Sequence, residues 1–244
     1  MAITFVAGTI VNGGSTSGAT DMTGATLLVS SLSYVVGTGD GITDSLGNTW
    51  VKIAEATQVT RVSSLWYVAN PTVGSSMTFS PTAGFGRAAF AGFSGVATAS
   101  PLDQTAAGGS TSGTSLQPGS ITPAENDELV VATLAWDNSD TASVNSSFTI
   151  SNQGSSANPI GAALGYLIQT TAAAVNPTWS ITNSTNMAAM QASFKAAAGG
   201  GGATWPGYIA PFGWRRSTVR VGRGLKALAS GLLVFPNTGE VVLA

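Results

Sequence analysis

Short runs of apolar and β-branched residues alternate with turn-forming clusters along the first 195 residues of the chain. Runs of this length, separated by Gly, Asn, Pro and Ser, are typical of the strands of a β-sandwich. No window carries the 3.6-residue apolar period of an amphipathic helix. The predicted strands are Thr26–Val36, Thr49–Glu55, Ser63–Ala69, Ser76–Ser80, Arg87–Phe93, Glu128–Trp136, Phe148–Asn152, Gly161–Gln169, Thr178–Thr182 and Met187–Lys195. The pattern predicts an all-β protein.

The two halves of this region resemble each other, at offsets of about 100 residues. The aligned pairs are Ala25–Val29 with Asp127–Val131, Ser64–Val68 with Ala163–Leu167, and the strand ending at Phe93 with the strand ending at Phe194. Two halves of about four strands each predict a two-sheet, jelly-roll-like sandwich. Chance similarity between Ser- and Thr-rich strands is the alternative.

A change of composition at Gly199–Gly202 divides the chain. We predict a sandwich domain over residues 1–197, a Gly-rich linker over 198–204 and a C-terminal arm over 205–244. Residues 1–202 carry four basic and ten acidic side chains, a net charge of −6, whereas the remaining residues carry five basic and one acidic, a net charge of +4. Apolar runs at Leu232–Phe235 and Glu240–Leu243 flank a Pro-Asn-Thr-Gly turn, so the arm is either extended or a small β hairpin.

Composition excludes most familiar catalysis. The chain has no His and no Cys, and therefore lacks the usual base, thiol and soft metal ligands. We expect no enzymatic activity, no cofactor and no bound metal. Charged residues make up only 8% of the chain, against roughly 25% in an average soluble domain. A surface so poor in charge suits an extracellular or particle-bound protein.

The sequence also predicts neither a secretion signal nor a membrane span. The N-terminal residues carry no basic region before an apolar stretch, and no apolar run approaches the roughly 20 residues of a membrane span. These features predict no membrane association. They are consistent with a virion protein that is assembled in the host cytoplasm and released by lysis.

Three groups of acidic residues are candidate sites. Asp40, Asp44, Gly47 and Asn48 could bind Ca²⁺ through oxygen ligands, but a turn closed by side-chain hydrogen bonds explains the same residues better. Asp137 with Asp140, and Glu125 with Asp127 and Glu128, resemble the carboxylate pairs of glycosidases. Their position beside turns favours solvated loop charges instead.

The adjacent aromatic residues Trp66 and Tyr67 are candidate ligand contacts. Core packing is the ordinary role of aromatic residues in strands, including Trp50, Trp136, Tyr166 and Trp179. Adjacent strand residues point to opposite faces of a sheet, however. One member of the Trp66–Tyr67 pair should therefore face outward, where it could stack on a sugar ring.

The arm indicates a protein partner. Its aromatic residues lie between Pro and Gly and would be costly to leave in water, and its basic residues follow directly. The candidate assembly residues are Trp205, Tyr208, Phe212, Trp214, Arg215, Arg216, Arg220 and Arg223. Strands of this kind can pair with an open sheet edge on another chain. Nucleic acid is the weaker alternative partner, because the rest of the protein is acidic.

A set of short motifs, in order, resembles a known family. The motifs are Asp44–Trp50, Leu65–Asn70, Phe93–Val96, Ser100–Asp103, Asp127–Val131 and Ser193–Lys195. Together they resemble a poorly characterised family of β-sandwich modules found in phage structural genes and large bacterial surface proteins. The resemblance covers roughly residues 1–197 and implies a structural or adhesive module with no catalytic residues.

The sequence therefore predicts a structural protein of a phage virion: a capsid decoration, tail or fibre component. Its arm would anchor it to other virion proteins and to copies of itself in a homo-oligomer. The alternative is a carbohydrate-binding surface module that recognises a surface glycan.

Overall fold

The described residues form antiparallel strands and no helix. A computed structural model describes residues 1–38, 40–82, 86–155 and 160–198, together with the backbone of 232–234 and 241–243. The strands are β1 (Thr4–Asn12), β2 (Leu27–Val35), β3 (Ile42–Asp44), β4 (Val51–Gln58), β5 (Arg61–Ala69), β6 (Phe79–Pro81), β7 (Gly86–Ser94), β8 (Leu102–Leu116), β9 (Glu128–Trp136), β10 (Ser143–Val144), β11 (Thr149–Gly154), β12 (Gly161–Gln169), β13 (Trp179–Phe194), β14 (Leu232–Val234) and β15 (Val241–Leu243). The predicted all-β class is confirmed. Since these residues contain no helix, none of them forms a helical membrane span.

The chain consists of two compact units, Met1–Gly201 and Gly202–Ala244. The first unit is a sandwich of two antiparallel sheets. The first sheet has the order β1-β7-β2-β5-β4, and the second has the order β8-β13-β9-β12-β11, with β10 paired to the start of β13. Strands β3 and β6 form a small separate ribbon. Each large sheet is thus built from one half of the first unit.

The strand register confirms the internal repeat. Leu27 lies opposite Phe93 and Ala69, and its counterpart Leu129 lies opposite Phe194 and Ile168. The bulges correspond as well. The pairing of β4 with β5 shifts register between Lys52 and Ala54, and the pairing of β11 with β12 shifts at the equivalent point, between Ile150 and Asn152. The halves contribute five main strands each rather than about four. Each half supplies one entire sheet, whereas the sheets of an eight-stranded jelly roll mix strands from both of its Greek keys.

Three apolar clusters form the core. The inner cluster lies between the sheets and includes Leu27, Phe93, Leu129 and Phe194. The two outer clusters lie on the far faces of the sheets, where connecting segments cover them. The central strands β2 and β9 are consequently buried on both faces. The sequence of β9 is a nearly continuous apolar run, whereas β2 also contains Ser30, Ser31 and Ser33.

Two long edge strands were absent from the sequence prediction. They are β1 and β8, which hold the same edge position in the two sheets. Strand β8 is rich in Gly, Ser and Thr, and the apolar alternation that marks a half-buried strand is missing from it. Its hydrogen bonds come from pairing along most of β13.

The second unit contains one described feature, an antiparallel hairpin of β14 and β15. Leu232 pairs with Leu243 and Val234 with Val241. The hairpin is the second of the two forms expected for the arm, and it occupies the predicted apolar runs on either side of the Pro-Asn-Thr-Gly turn. The candidate assembly residues from Trp205 to Arg223 lie outside the described residues.

Candidate functional site

Strand β5 places the two candidate ligand contacts on opposite faces of the first sheet, as the alternation of strand side chains requires. Tyr67 packs against the inner cluster, with its ring centroid 5.6 Å from that of Phe194. Trp66 packs against the outer cluster and remains partly exposed. Trp66 is therefore the outward member of the pair.

Trp66 belongs to a group of polar side chains that we call the Trp66 cluster: Tyr34, Asp40, Lys52, Glu55 and Trp66. The Lys52 Nζ lies 5.9 Å from the indole centroid, within the range of a cation–π contact. The same Nζ lies 2.6 Å from Asp40 Oδ2 and also pairs with Glu55. The indole Nε1 donates to Ser64 Oγ at 2.8 Å, which fixes the orientation of the ring.

The Tyr34 hydroxyl lies beside both carboxylates of the Trp66 cluster. Its hydroxyl donates to Glu55 Oε2 at 2.9 Å and lies 3.3 Å from Asp40 Oδ2. Burial and these acidic neighbours raise the pKa of Tyr34, so the phenol stays protonated as a donor. Burial lowers the pKa of Lys52, but its two carboxylate partners outweigh this effect and the net shift is upward. The cluster is therefore a fixed array of donors and acceptors beside an aromatic face, suited to binding rather than proton transfer.

The loop at Asp44 is a turn. Asp44 Oδ1 accepts from the Leu46 amide at 2.9 Å and from Asn48 Nδ2 at 3.1 Å, while its Oδ2 accepts from Trp50 Nε1 at 2.8 Å. Both carboxylate oxygens are occupied within the loop. The turn interpretation is confirmed.

Asp137 is not the solvated loop charge that we expected. It forms an ion pair with Arg61, whose side chain is 8% exposed, and its own side chain is 16% exposed. Thr60 Oγ1 and Asn186 Nδ2 also donate to Asp137 Oδ2. Because Arg61 belongs to the first half and Asp137 to the second, this ion pair joins the two sheets at one end of the sandwich.

The other acidic residues lie in different environments. Asp140 accepts from the backbone amide of Asn183, and this bond lowers the pKa of the carboxyl. Glu125 and Asp127 are exposed, as expected. Glu128 is fully buried instead of solvated, and burial raises its pKa. Among the described residues, no three carboxylates are grouped closely enough to hold a metal ion.

The polar end of the inter-sheet space was not predicted from the sequence. Ser31, Ser33 and Ser63 occupy inward positions at this end of the first sheet and are fully buried. Ser63 Oγ lies 2.9 Å from Thr133 Oγ1 across the sandwich. The available signal was the series Leu27, Val29, Ser31 and Ser33 along one face of β2, in which the inward positions change from apolar to polar toward the end that pairs with Arg61.

The remaining tryptophans have structural roles. Trp136 and Trp179 are fully buried in the outer cluster of the second sheet, and Trp50 is 9% exposed in the outer cluster of the first. Among the tryptophans of the described residues, Trp66 is the one that remains partly exposed. Comparison with protein-family models, curated proteins and solved structures gives no match.

Proposed function

We propose that the chain is a structural protein of a phage virion, whose sandwich is displayed and whose residues 205–244 fasten it to neighbouring subunits. The observation that carries this proposal is the completeness of the sandwich. The described members of its three apolar clusters lie between residues 3 and 196, and connecting segments of the domain itself cover the outer faces of both sheets. Since both faces of each sheet are packed by residues of the sandwich itself, we assign the aromatic residues of the arm to contacts with a partner.

The composition of the arm supports attachment through apolar area. Each buried aromatic side chain removes roughly 150–250 Å² from water, which is worth about 4–6 kcal/mol before ordering costs. Four such residues exceed the lower estimates of the cost of association, about 4–15 kcal/mol. Exposed ion pairs contribute only about 0–1 kcal/mol each. The aromatic residues therefore dominate affinity, and the arginines set rate and orientation.

Two variants of the full chain test the proposal. Replacing Trp205, Tyr208, Phe212 and Trp214 with Ser should abolish oligomers in sedimentation velocity. Replacing Arg215, Arg216, Arg220 and Arg223 with Gln should leave oligomers that form more slowly and depend less on salt. The melting of the sandwich, followed by circular dichroism, should be unchanged in both. Normal assembly of the aromatic variant would contradict the proposal.

The Trp66 cluster favours a second candidate function, the binding of a surface glycan. A partly exposed indole beside a fixed ammonium and two carboxylates offers an aromatic contact and hydrogen bonds to a sugar. Screening the full chain on a glycan array and replacing Trp66 with Ala tests this function. Tyr67→Phe is the matched control, since Tyr67 lies on the opposite face. Absence of binding by the wild-type chain, or equal binding by Trp66→Ala, would exclude this role.

A further inference from the structure

Two acidic side chains of the sandwich have no described partner. The other eight are engaged in ion pairs or in hydrogen bonds of turns and loops: Asp40 and Glu55 with Lys52, Asp103 with Lys195, Asp137 with Arg61, Asp21 with Thr23, Asp44 with Asn48, Asp140 with Asn183, and Glu128 with the Glu125 amide. Glu125 and Asp127 are exposed, and neither carboxylate pairs with a described residue.

Both of these carboxylates line one groove of about 560 Å³. Its apolar lining comes from Met1, Ile3 and Ile168, and one wall is the backbone of Ala196–Ala198, where the sandwich ends. Met1 is 79% exposed, one of the most exposed large apolar side chains of the described residues. The groove therefore presents apolar side chains next to two carboxylates that form no ion pair with a described residue.

The acidic wall of the groove is held in place by the sandwich. The Ala124 amide donates to Asp103 Oδ2 at 2.9 Å, and the Glu125 amide donates to Glu128 Oε1 at 3.0 Å. Asn126 Oδ1 accepts from the Ala172 amide at 2.8 Å. These bonds fix the backbone on either side of the two carboxylates. A ligand would meet a preorganised surface and avoid part of the ordering cost of binding.

We propose that this groove receives residues 205–216 of a second copy of the chain. That segment has the complementary chemistry: aromatic residues separated by Pro and Gly, followed directly by the adjacent cations Arg215 and Arg216. An aromatic ring enters against Ile3 and Ile168, and the two arginines pair with Glu125 and Asp127. The net charges of the two parts, +4 for the arm and −6 for the sandwich, favour the encounter.

This inference rests on the proposed assembly function and specifies its geometry. The groove and the arm are different surfaces, so the contact is heterologous. Contacts of this type propagate from copy to copy and close into rings or continue as filaments. One groove and one arm per chain suffice for either outcome.

Charge reversal in the full chain provides the test. The groove variant Glu125→Arg/Asp127→Arg and the arm variant Arg215→Glu/Arg216→Glu should each weaken self-association at least tenfold in sedimentation. An equimolar mixture should associate again, because the unaltered arm of one copy meets the unaltered groove of the other and the two reversed surfaces also match. Failure of the mixture to associate would overturn docking between copies, since an arm bound within its own chain cannot be rescued by mixing.

Neutralisation controls for net charge. The groove is neutralised in the variant Glu125→Gln/Asp127→Asn, and the control Gln104→Arg/Thr114→Arg alters exposed positions of β8. Both variants change the net charge by +2, but only the groove variant should weaken association. Equal weakening would show a general charge effect and overturn the site. If the aromatic arm variant fails to assemble while every groove variant assembles normally, the groove is wrong and the arm function stands. If the aromatic variant assembles, the proposed function itself fails.

Discussion

Replacing Asp137 with Asn should destabilise the sandwich strongly, because it leaves the buried Arg61 cation without its counter-charge. The Arg61 side chain is only 8% exposed, and its Nη1 already has no hydrogen-bond partner among the described protein atoms. Asn at position 137 can still accept from Thr60 but carries no charge. The change therefore removes the ion pair while keeping the shape of the site.

The expected loss can be estimated from the burial of the pair. Removing one partner of a buried ion pair costs about 3–5 kcal/mol, and the residual exposure of Asp137 places this pair at the lower end. In a domain of this size each kcal/mol corresponds to about 2–4 °C in Tm, so we expect Asp137→Asn to melt about 6–12 °C lower. Lys52→Met, which removes a more exposed cation, should cost at most about 1 kcal/mol.

Thermal and urea denaturation, followed by circular dichroism at pH 7, measures these differences. The double variant Arg61→Met/Asp137→Asn should recover most of the loss, because it removes the unpaired charge. Raising the salt concentration should change the Asp137→Asn difference little, since buried charges are screened weakly. The reasoning would be refuted if Asp137→Asn melted within about 2 °C of wild type, which is less than the shift expected for 1 kcal/mol. It would also be refuted if the double variant lost as much stability as the two single variants together.

Three further outcomes are expected. Glu128→Gln should be more stable than wild type at pH 7 and similarly stable at pH 4 in thermal melts. The raised pKa of Glu128 means that its contribution to stability is present at low pH and is lost as the pH rises, so parallel pH profiles of the two proteins would contradict this. The halves divided after Ser100 should co-purify when co-expressed and aggregate when expressed singly, since each exposes one apolar sheet face; a soluble monomeric half would oppose this. Gly161→Ala should cost about 1–3 kcal/mol because its Cβ would overlap the Trp136 ring, whereas Gly113→Ala, with nothing closer than 3.9 Å, should be nearly neutral in urea denaturation.

Much of the sandwich was predictable because its central strands are buried on both faces. Runs of consecutive apolar residues such as Leu27–Val29 and Leu129–Val131 are explained better by a buried strand than by any other local structure. The repeat was visible for the same reason, since the aligned segments are the double-buried ones. Strand β8 left no such signal, because an edge strand of Gly, Ser and Thr is held by its partner's hydrogen bonds.

The Arg61–Asp137 ion pair could not be predicted from local pattern. Asp137 follows a strand and is followed by Asn138 and Ser139, the usual setting of a solvated loop charge. Its partner is 76 residues away in the chain and belongs to the other sheet. Only the stacking of β5 on β9 brings the two charges together. The same limit applies to Asp40 and Glu55, which meet through Lys52 and Tyr34.

The repeat itself helps to separate scaffold from function. Several core positions that pair in equivalent registers keep apolar character in both halves, as Leu27 and Leu129 do, and Phe93 and Phe194. The Trp66 cluster departs from this rule: in the second sheet the counterparts of Trp66 and Lys52 are Gly165 and Ile150.

The space above Gly165 is occupied, because the buried Trp179 ring would lie only 3.2 Å from a Cβ at that position. At these two positions the second half therefore lacks the ammonium and the indole that the first half presents. A ligand that recognises the Trp66 cluster should consequently bind with a stoichiometry of one per chain, despite the two-fold repeat of the fold. Isothermal titration that gives two equivalent sites would mean that binding follows the repeated scaffold and not this cluster.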